Sequence, residues 1–537
     1  MIEESFQPSQ DGKCAVAEGG MVATASPAAT AAGVSMLERD GNAVDAACAA
    51  AFALAVSEPQ ASGLGGESKA ILHFNGETVV IDGSSRVPEG FALSCGQMDD
   101  LRFGYRGTSV PSTVAVLAHL HRRFGAKPWR DIIEPAMGIA REGYCISALQ
   151  ENLLQRELDR FIQIPSQSGA RYFLKNGRHP YREGDLFRQH DLASLLEDLA
   201  DFGPEYFYRG NPAKLIDSDM KGNGGFLRAE DLDRIPWPRE RKPITAAYRG
   251  MEVSTAPPSS GGRMLLFTLM VLGRLPATML AQGAEERCGL LAEVFQEALI
   301  SSKKETPDPF IYSFENDIMC SRSTIEKVAI ALTGGRQSSG LPRKDSGGET
   351  THLSVMDCRG NAVGITQSIN LVYGAKAAAQ GLGFIYNDYL IDMERNDREN
   401  PHFLRPGAPS VSSVAPTIVT CNGTPWMVVG SPGSERIFST VTQFISNMLD
   451  RGMPMCRAMK EPRLHCFIDG RISYEGNRFP PSVLDHLAEC GYELDEREPW
   501  SFFLGAIHAV LKCATRPGYQ GVAEIRRDGT ARGPRSL

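Results

Sequence analysis

The sequence predicts an α/β protein built as a layered sandwich, in which helices pack on the outer faces of antiparallel sheets. Helical patterns predominate in the first part of the chain, whereas from residue 350 onward β-favouring runs come in pairs joined by polar turns. Helical segments separate these pairs, so each hairpin can join a sheet that carries a helix on one face. The length of 537 residues alone would predict three or four domains.

Two helices are predicted near the start of the chain. Residues 26–39 begin with Ser-Pro and end before Asp-Gly, which is typical of a capped helix with a left-handed stop. Asn42 then caps a second helix over residues 43–56. Both segments are rich in Ala and Gly, and we therefore expect them to pack closely against a neighbouring layer.

A β-hairpin is predicted after these helices. Residues 70–74 and 78–82 are β-favouring runs on either side of Asn75-Gly76, the dipeptide typical of a tight two-residue turn. Further helices are predicted at 113–124, 129–141 (stopped by Gly143), 437–448 and 481–490, and further strand pairs at 351–356 with 362–368, 417–420 with 426–429, and 506–511 with 522–525.

Composition excludes several classes of function. The net charge is −8 and the pI about 5.8, so no basic surface is expected for nucleic acid or an anionic membrane. Residues 1–20 contain no apolar run of signal-peptide length, and the most apolar stretch, 43–56, is too short to span a bilayer. We expect a cytoplasmic protein that acts on a small soluble molecule.

The 12 cysteines show neither a CxxC pair nor the Cys/His spacing of a zinc site. We expect them to be free thiols without a functional role. No metal or organic cofactor is predicted.

The chemistry is predicted at Thr350. Residues 334–349 form a polar, Gly-rich segment, expected to be flexible, that leads directly into a strand beginning at this residue. If the preceding peptide bond were cut, Thr350 would carry a free α-amine with a pKa near 8. That amine could activate the residue's own hydroxyl as a nucleophile. An ordinary surface loop entering a strand is the alternative that these residues leave open.

The run TTHLSVMD at 350–357, with GNAV at 360–363, resembles the start of the small subunit of the γ-glutamyltranspeptidases, which belong to the N-terminal-nucleophile hydrolases. Other landmarks of that family agree in order along nearly the whole chain: ASP at 25–27, GNAVDA at 41–46, EP at 58–59, GG at 65–66, APPSSGG at 256–262, PT at 416–417 and GSPG at 430–433.

This resemblance implies one catalytic unit rather than several domains. The unit would be a four-layer αββα sandwich made of two segments, 1–349 and 350–537, that form a heterodimer after the chain cleaves itself. It implies a small amide as substrate, with water or an amine as the acceptor. It also implies that Thr350 is the nucleophile both in self-cleavage and in catalysis.

The resemblance further assigns catalytic roles around Thr350. Ser368 stands where the family usually has a threonine that binds the nucleophile's α-amine. The backbone amides of Gly433 and Ser434 would stabilise the oxyanion, because they lie at the start of a helix. The family has two glycines there, so Ser434 must adopt a backbone conformation that glycine adopts more easily.

The substrate-binding residues match the family only in part. Asp392 corresponds to the acid that binds the substrate's α-ammonium, and Asn370 to a nearby asparagine. Ser412 and Ser413 correspond to the paired serines that bind the α-carboxylate. Tyr389, however, replaces a usual glutamine, and its ring should narrow or reshape the pocket.

The arginine that usually binds the α-carboxylate is also replaced. Ser84 stands in its position, and Arg86 would face the same side two residues later if the strand continued. The segment between Asp392 and Ser412 is too short for the long lid of glutathione-cleaving members. We therefore expect an open site in which hydrolysis outweighs transfer.

Three functions remain open on the sequence. Asp392 and the paired serines favour a γ-glutamyl hydrolase or transpeptidase. Ser84 and Tyr389 favour a related amidohydrolase or acylase, acting for example on oxamate or on a glutaryl amide as cephalosporin-type acylases do. An unprocessed paralogue that only binds a ligand is the third. Four further polar residues are expected to be structural: His352, Asp357, His465 and His508.

Overall fold

The computed structural model describes residues 6–92, 101–281, 283–333, 348–514 and 517–534. Within these ranges, two seven-stranded sheets lie face to face between two layers of helices. This is the predicted αββα sandwich. The segment predicted to be flexible, 334–349, lies outside the described residues except for its last two positions.

The helices are α1 (Pro27–Glu38), α2 (Ala43–Ser57), α3 (Thr113–Phe124), α4 (Trp129–Glu142), α5 (Ala148–Gln163), α6 (Ser168–Phe173), α7 (His190–Phe202), α8 (Glu205–Arg209), α9 (Asn211–Gly222), α10 (Ala229–Asp233), α11 (Gly262–Arg274), α12 (Ala277–Ala281), α13 (Ala284–Lys304), α14 (Arg322–Thr333), α15 (Ile437–Leu449), α16 (Met455–Lys460) and α17 (Pro481–Glu489).

The strands are β1 (Cys14–Ala17), β2 (Gly20–Thr24), β3 (Glu67–Phe74), β4 (Glu77–Gly83), β5 (Tyr144–Cys145), β6 (Leu186–Phe187), β7 (Arg239–Arg241), β8 (Ile244–Tyr248), β9 (Met251–Thr255), β10 (Gly348–Asp357), β11 (Ala362–Leu371), β12 (Thr417–Cys421), β13 (Thr424–Gly430), β14 (Leu464–Cys466), β15 (Arg471–Glu475), β16 (Glu493–Arg497), β17 (His508–Lys512), β18 (Tyr519–Ala523) and β19 (Thr530–Arg532).

The two large sheets interleave the chain on both sides of residue 350. Sheet I has the order β1-β18-β17-β13-β12-β9-β8, and sheet II has the order β19-β2-β10-β11-β3-β4-β7. All pairings in both are antiparallel. Each sheet therefore needs strands from before and after this point, and the two segments build one unit. The boundary itself, between 349 and 350, stays a prediction.

Three apolar layers hold the sandwich together. One lies between sheet II and the helices around α2, a second between sheet I and the helices around α11 and α15, and a third, smaller one between the two sheets. Every residue of α2 is buried. Gly33 of α1 allows the close approach expected for this pair, because a Cβ there would lie 3.1 Å from the Ala46 carbonyl oxygen.

The start signal at Asn42 and the turn signal at Asn75-Gly76 act as predicted, whereas the Ser26 side chain makes no capping hydrogen bond and Asp40, with a φ of 60°, is left-handed in place of Gly41. The Asn42 side chain accepts hydrogen bonds from the Val44 and Asp45 amides at the start of α2. Asn75 and Gly76 join β3 to β4 with φ values of 51° and 87°, the left-handed pair that a tight hairpin requires. Helices and strands thus begin within a few residues of their predicted positions.

Two expectations about the chain need correction. Strand β10 begins at Gly348 rather than at Thr350, so the predicted nucleophile lies inside a strand. Cys14 and Cys456, whose Cα atoms are 6.1 Å apart, form a disulfide, whereas all cysteines were expected to be free. The sequence does not reveal this pair because only the tertiary fold brings β1 and α16 together, across 442 residues.

In the ranges given above, no helix is long and apolar enough to cross a membrane. No group of three or more His, Cys, Asp or Glu side chains among the same residues could hold a metal ion.

Candidate active site

Thr350 lies at an irregularity between the two central strands of sheet II. Glu349 pairs with Asn370, but Thr351 pairs with Gln367, so the register shifts by one residue at Thr350. The extra residue lies in β11, where Ser368 and Ile369 together lie opposite Thr350. The Thr350 side chain lies on the wall of a cavity of about 490 Å³.

The cavity brings together most of the residues predicted from the sequence. Those on its wall are Thr350, Ser368, Asn370, Tyr389, Asp392, Ser412, Ser413 and Ser434. Their roles in catalysis or binding stay predictions, and the geometry around each one follows.

Ser368 contacts the peptide bond that self-cleavage would break. Its hydroxyl donates to the Glu349 carbonyl oxygen at 2.6 Å and accepts from the Asn370 amide at 2.8 Å. The Thr350 hydroxyl lies 3.4 Å from the Ser368 oxygen. In the uncut chain, Ser368 is thus placed to polarise the carbonyl that Thr350 would attack, a contact distinct from the predicted one with the α-amine.

The turn predicted as the oxyanion site lies against the same strand. Gly433 has a φ of 126° and Ser434 a φ of 54°, just before a short 3-10 helix and α15. Ser434 therefore adopts the left-handed conformation that its position requires. A Cβ on Gly348 would lie 3.1 Å from the Ser434 side chain, which shows how closely the turn approaches β10.

Asp392 is exposed to the cavity, but the protein packed around it removes part of its hydration and raises its pKa to about 6. A hydrogen bond from Asn370 and the charge of Arg395 lower the pKa and limit this shift. Asn370 has a φ of 78° at the end of β11. Its carboxamide also donates to the Asp388 carbonyl at 3.3 Å, which orients it.

Tyr389 forms a buried part of the wall. Its hydroxyl lies 3.5 Å from the Ser368 carbonyl oxygen, which it faces as a donor. Ser412 and Ser413 are half-buried, and neither hydroxyl has a hydrogen bond to any residue that the structure describes. Both hydroxyls are therefore free to bind a substrate.

Arg86, predicted as a substitute for the missing arginine, does not lie on the wall of the Thr350 cavity. The chain leaves sheet II at Gly83, and Arg86 instead pairs with Val110 and Pro409. Its side chain is exposed and lines separate small cavities, one of them together with Ser84. The strand does not continue, so the expected alternation of faces does not apply.

A buried ionic cluster next to the bond predicted to be cut was not foreseen. Arg527 forms ion pairs with Glu349 and Glu58, and all three are buried. Glu349 also accepts from the Thr350 amide at 3.1 Å. Burial raises the pKa of Glu58 to about 7, against the lowering effect of Arg527. The residues lie in three distant parts of the sequence, and only the family landmark at 58–59 pointed to one of them.

Three basic side chains on the cavity wall were also not foreseen. Arg102, Lys303 and Arg395 line the same cavity as Thr350. They come from an irregular segment, the end of α13 and the loop after Asp392. No motif connects them, so the sequence contained no signal for their convergence.

The four polar residues that were expected to be structural are all buried. His352 is buried between the hydroxyls of Thr366 and Ser354, and burial lowers its pKa to about 3. Asp357 accepts from the backbone amides of Ala43 and Asn361. His465 and His508 are likewise buried.

Comparison with known proteins identifies the family. The sequence profile described as Gamma-glutamyltranspeptidase matches residues 29–533. The chain belongs to the γ-glutamyltranspeptidase family. It is thus an enzyme, an amide hydrolase or acyltransferase of the N-terminal-nucleophile type.

Similar proteins are named as glutathione hydrolases or as acylases. The glutathione hydrolase proenzyme of Escherichia coli (strain K12) is 32% identical over 483 residues, covering 84% of this chain and 81% of that protein. The acylase ACY 1 proenzyme of Pseudomonas sp. (strain V22) is 31% identical over 507 residues, covering 90% and 88%. A crystal structure of cephalosporin acylase from Bacillus halodurans matches with a TM-score of 0.89 over 100% of both chains. At 24% identity, that likeness establishes the fold alone.

Loss of Arg527 should destabilise the protein. Arg527→Gln leaves Glu58 and Glu349 buried without their cation, and we expect the free energy of unfolding to fall by about 3–5 kcal/mol. Urea denaturation followed by circular dichroism measures this loss. Arg532→Gln, at an exposed position on β19, is the control and should change stability little. Equal effects of the two substitutions would contradict the prediction.

The backbone of Ser434 should matter more than its side chain. Ser434→Gly keeps the amide and suits a left-handed φ, so we expect kcat to be largely retained. Ser434→Val places a β-branched residue in that conformation and should lower kcat by at least about tenfold by displacing an oxyanion donor. Anilide hydrolysis by the two purified variants tests this, and a more active valine variant would refute it.

Proposed function

We propose that the chain cleaves itself before Thr350 and then hydrolyses γ-glutamyl or related small amides through an acyl-enzyme on that residue. The observation that carries this proposal is the position of Thr350. It lies opposite a bulge in β11, with the Ser368 hydroxyl bonded to the preceding carbonyl and the Gly433-Ser434 turn beside β10. Names of relatives that include the word proenzyme support the maturation step.

In maturation, the Thr350 hydroxyl oxygen attacks the Glu349 carbonyl carbon, and the C–N bond to the Thr350 nitrogen breaks. The hydroxyl proton passes to that nitrogen, so the product is an ester of the Thr350 side chain with a free α-amine. Water hydrolyses the ester and leaves a carboxyl group on Glu349. Ser368 assists by donating a hydrogen bond to the carbonyl that becomes the oxyanion.

In catalysis, the α-amine takes the proton from the Thr350 hydroxyl as the oxygen attacks the substrate's amide carbonyl. The amides of Gly433 and Ser434 stabilise the resulting oxyanion. The ammonium returns a proton to the leaving amine, and water releases the acid from the ester. The short segment between Asp392 and Ser412 leaves the site open, which favours water over an amine as the acceptor.

A second candidate is acylase activity on a non-glutamyl amide. Arg86 lies outside the cavity, so no basic residue from the end of β4 reaches the acyl site. Tyr389 fills the usual position of a glutamine. The similarity to an acylase proenzyme of Pseudomonas sp. supports the same candidate.

Thr350→Ala tests the maturation step. The purified wild type should give two bands, and the smaller should begin with Thr-Thr-His-Leu, whereas the variant should remain one chain of 58.4 kDa. Thr351→Ala is the neighbouring control and should still be cut. A wild type that remains intact would refute self-cleavage.

Asp392 should impose a pH dependence on γ-glutamyl substrates alone. Its pKa is raised to about 6, so its negative charge is present above that pH and lost below it. We expect the kcat/KM for γ-glutamyl anilide, relative to pentanoyl anilide, to fall about tenfold per pH unit below about pH 6. The titration of the Thr350 amine affects both substrates equally and therefore cancels in the ratio. Asp392→Asn should abolish the dependence, and a constant wild-type ratio would contradict it.

A further inference from the structure

A second cavity lies between the start of α13 and the second half of α15. Its volume is about 260 Å³, and its described wall shares no residue with the cavity at Thr350. The two cavities are connected only through α15, because Ile437 at the start of this helix lines the first and Asn447 near its end lines the second. The amide hydrolysis proposed for Thr350 gives this second cavity no role.

The wall of the second cavity contains a buried cation, Arg287, which is only 7% exposed. Its guanidinium donates to the Leu280 carbonyl at 3.0 Å, the Ser446 hydroxyl at 3.1 Å and the Asn447 carboxamide oxygen at 2.8 Å. All three acceptors are neutral. These bonds use three of the five N–H donors of an arginine, so the Nε–H and one Nη2–H have no partner among the described residues. Buried donors and buried charges normally have partners.

The carboxylates near Arg287 are bound to other groups. Asp450, which attracts Arg287 only from a distance, forms its ion pair with Arg249 at 2.7 Å. Glu461 lies on the cavity wall but is paired with Arg451 at 2.8 Å. The described wall therefore carries two arginines and one glutamate, a net charge of +1.

The two arginines converge on one point of the wall. Arg451 donates to the same Asn447 oxygen as Arg287, at 3.2 Å. Burial and the charge of Arg451 both lower the pKa of Arg287, as expected for two cations that lie close together without an anion between them. A guanidinium binds a carboxylate well because its N–H groups match the two oxygens. A bound carboxylate would relieve this repulsion and accept the two unused hydrogen bonds.

The rest of the wall is largely apolar. Leu291, Leu464 and Phe479 line it, and Ala284 and Pro480 lie at exposed positions on its rim. The cavity is thus open to solvent, and an apolar group that entered it would be removed from water. Its volume is slightly below the range of about 300–1,000 Å³ that is usual for drug-sized ligands, so it suits a smaller molecule.

We propose that this cavity is a second binding site, for a small carboxylic acid with an apolar body. Arg287 and Arg451 bind the carboxylate, and the body packs against Leu291 and Phe479. The bound acid would contact α15, the helix that follows the Gly433-Ser434 turn. This inference concerns a different site from the proposed amide hydrolysis and does not depend on it.

Isothermal titration calorimetry of the purified protein with three probes tests the ligand class. Phenylacetate carries a carboxylate and an apolar ring, acetate carries the carboxylate alone, and 2-phenylethanol carries the ring without the charge. We expect phenylacetate to bind with a Kd at least about tenfold lower than either of the others, because only phenylacetate uses both parts of the wall.

Three substitutions test the location. Ala284→Trp fills the rim without removing any side-chain hydrogen bond and should raise the Kd for phenylacetate at least about tenfold. Arg451→Gln should raise it severalfold and leave 2-phenylethanol within about twofold. Arg287→Gln should cause a larger loss than Arg451→Gln. If Arg287→Gln folds poorly, the other two variants still decide the question, since they change residues that are exposed or partly exposed.

Two matched controls exclude binding elsewhere. Arg457→Gln removes an exposed charge on α16 that lines neither cavity, and Arg102→Gln removes an exposed charge from the cavity at Thr350. Neither should change the Kd for phenylacetate by more than about twofold.

Each contrary result overturns a stated part of the proposal. Equal affinity for phenylacetate and 2-phenylethanol would overturn the role of the arginines, and equal affinity for phenylacetate and acetate that of the apolar wall. An unchanged Kd in Ala284→Trp, or a loss in Arg102→Gln alone, would overturn the location. None of these results bears on amide hydrolysis, whose failure would be seen with the anilides instead.

Discussion

The register shift between β10 and β11 at Thr350 is the constraint on which the rest of the site depends. The extra residue lies in β11, where Ser368 and Ile369 together lie opposite Thr350. The Ser368 hydroxyl donates to the carbonyl that precedes Thr350 and lies 3.4 Å from the Thr350 hydroxyl. One local irregularity therefore places Ser368 beside both the bond proposed for cleavage and the proposed nucleophile.

A buried ionic cluster contacts β10 next to the bulge. Glu349 accepts a hydrogen bond from the Thr350 amide and is paired with Arg527, which also binds Glu58. Such a cluster is costly to bury and stays favourable only while every member is paired. The proposed cleavage would place a new carboxylate on Glu349 and a new amine on Thr350 beside this cluster. The charges that contact Thr350 in the uncut chain would then also surround its free amine.

Local chemistry made much of the fold predictable. The Asn42 cap, the Asn75-Gly76 turn and the paired strands after residue 350 act through neighbours in sequence, and each lies where the sequence placed it. The disulfide between Cys14 and Cys456 was missed because it joins distant segments. The αββα arrangement followed from the family resemblance rather than from periodicity.

In the site, too, residues within sequence motifs were predicted, whereas residues that only the tertiary fold brings together were not. Residues inside family motifs, such as Asp392 and the paired serines, were found and converge on one cavity. Arg86 was misplaced because the end of β4 could not be derived from alternation. Arg395 and Arg527 were missed because only tertiary structure connects them to Thr350. Ser84 and Tyr389 depart from the family pattern at the predicted acyl-binding wall, and Ser368 and Ser434 depart from it near Thr350. Thr350 itself and the GSPG run at 430–433 retain the pattern.

The most direct test of this account is the mass of the acyl-enzyme. Wild-type protein, mixed with a slowly hydrolysed amide and quenched in acid, should yield a fragment of residues 350–537 heavier by the mass of the acyl group minus one hydrogen. Peptide sequencing by mass spectrometry should assign that group to Thr350. An adduct on another residue, or turnover of the amide without any adduct on Thr350, would contradict the account.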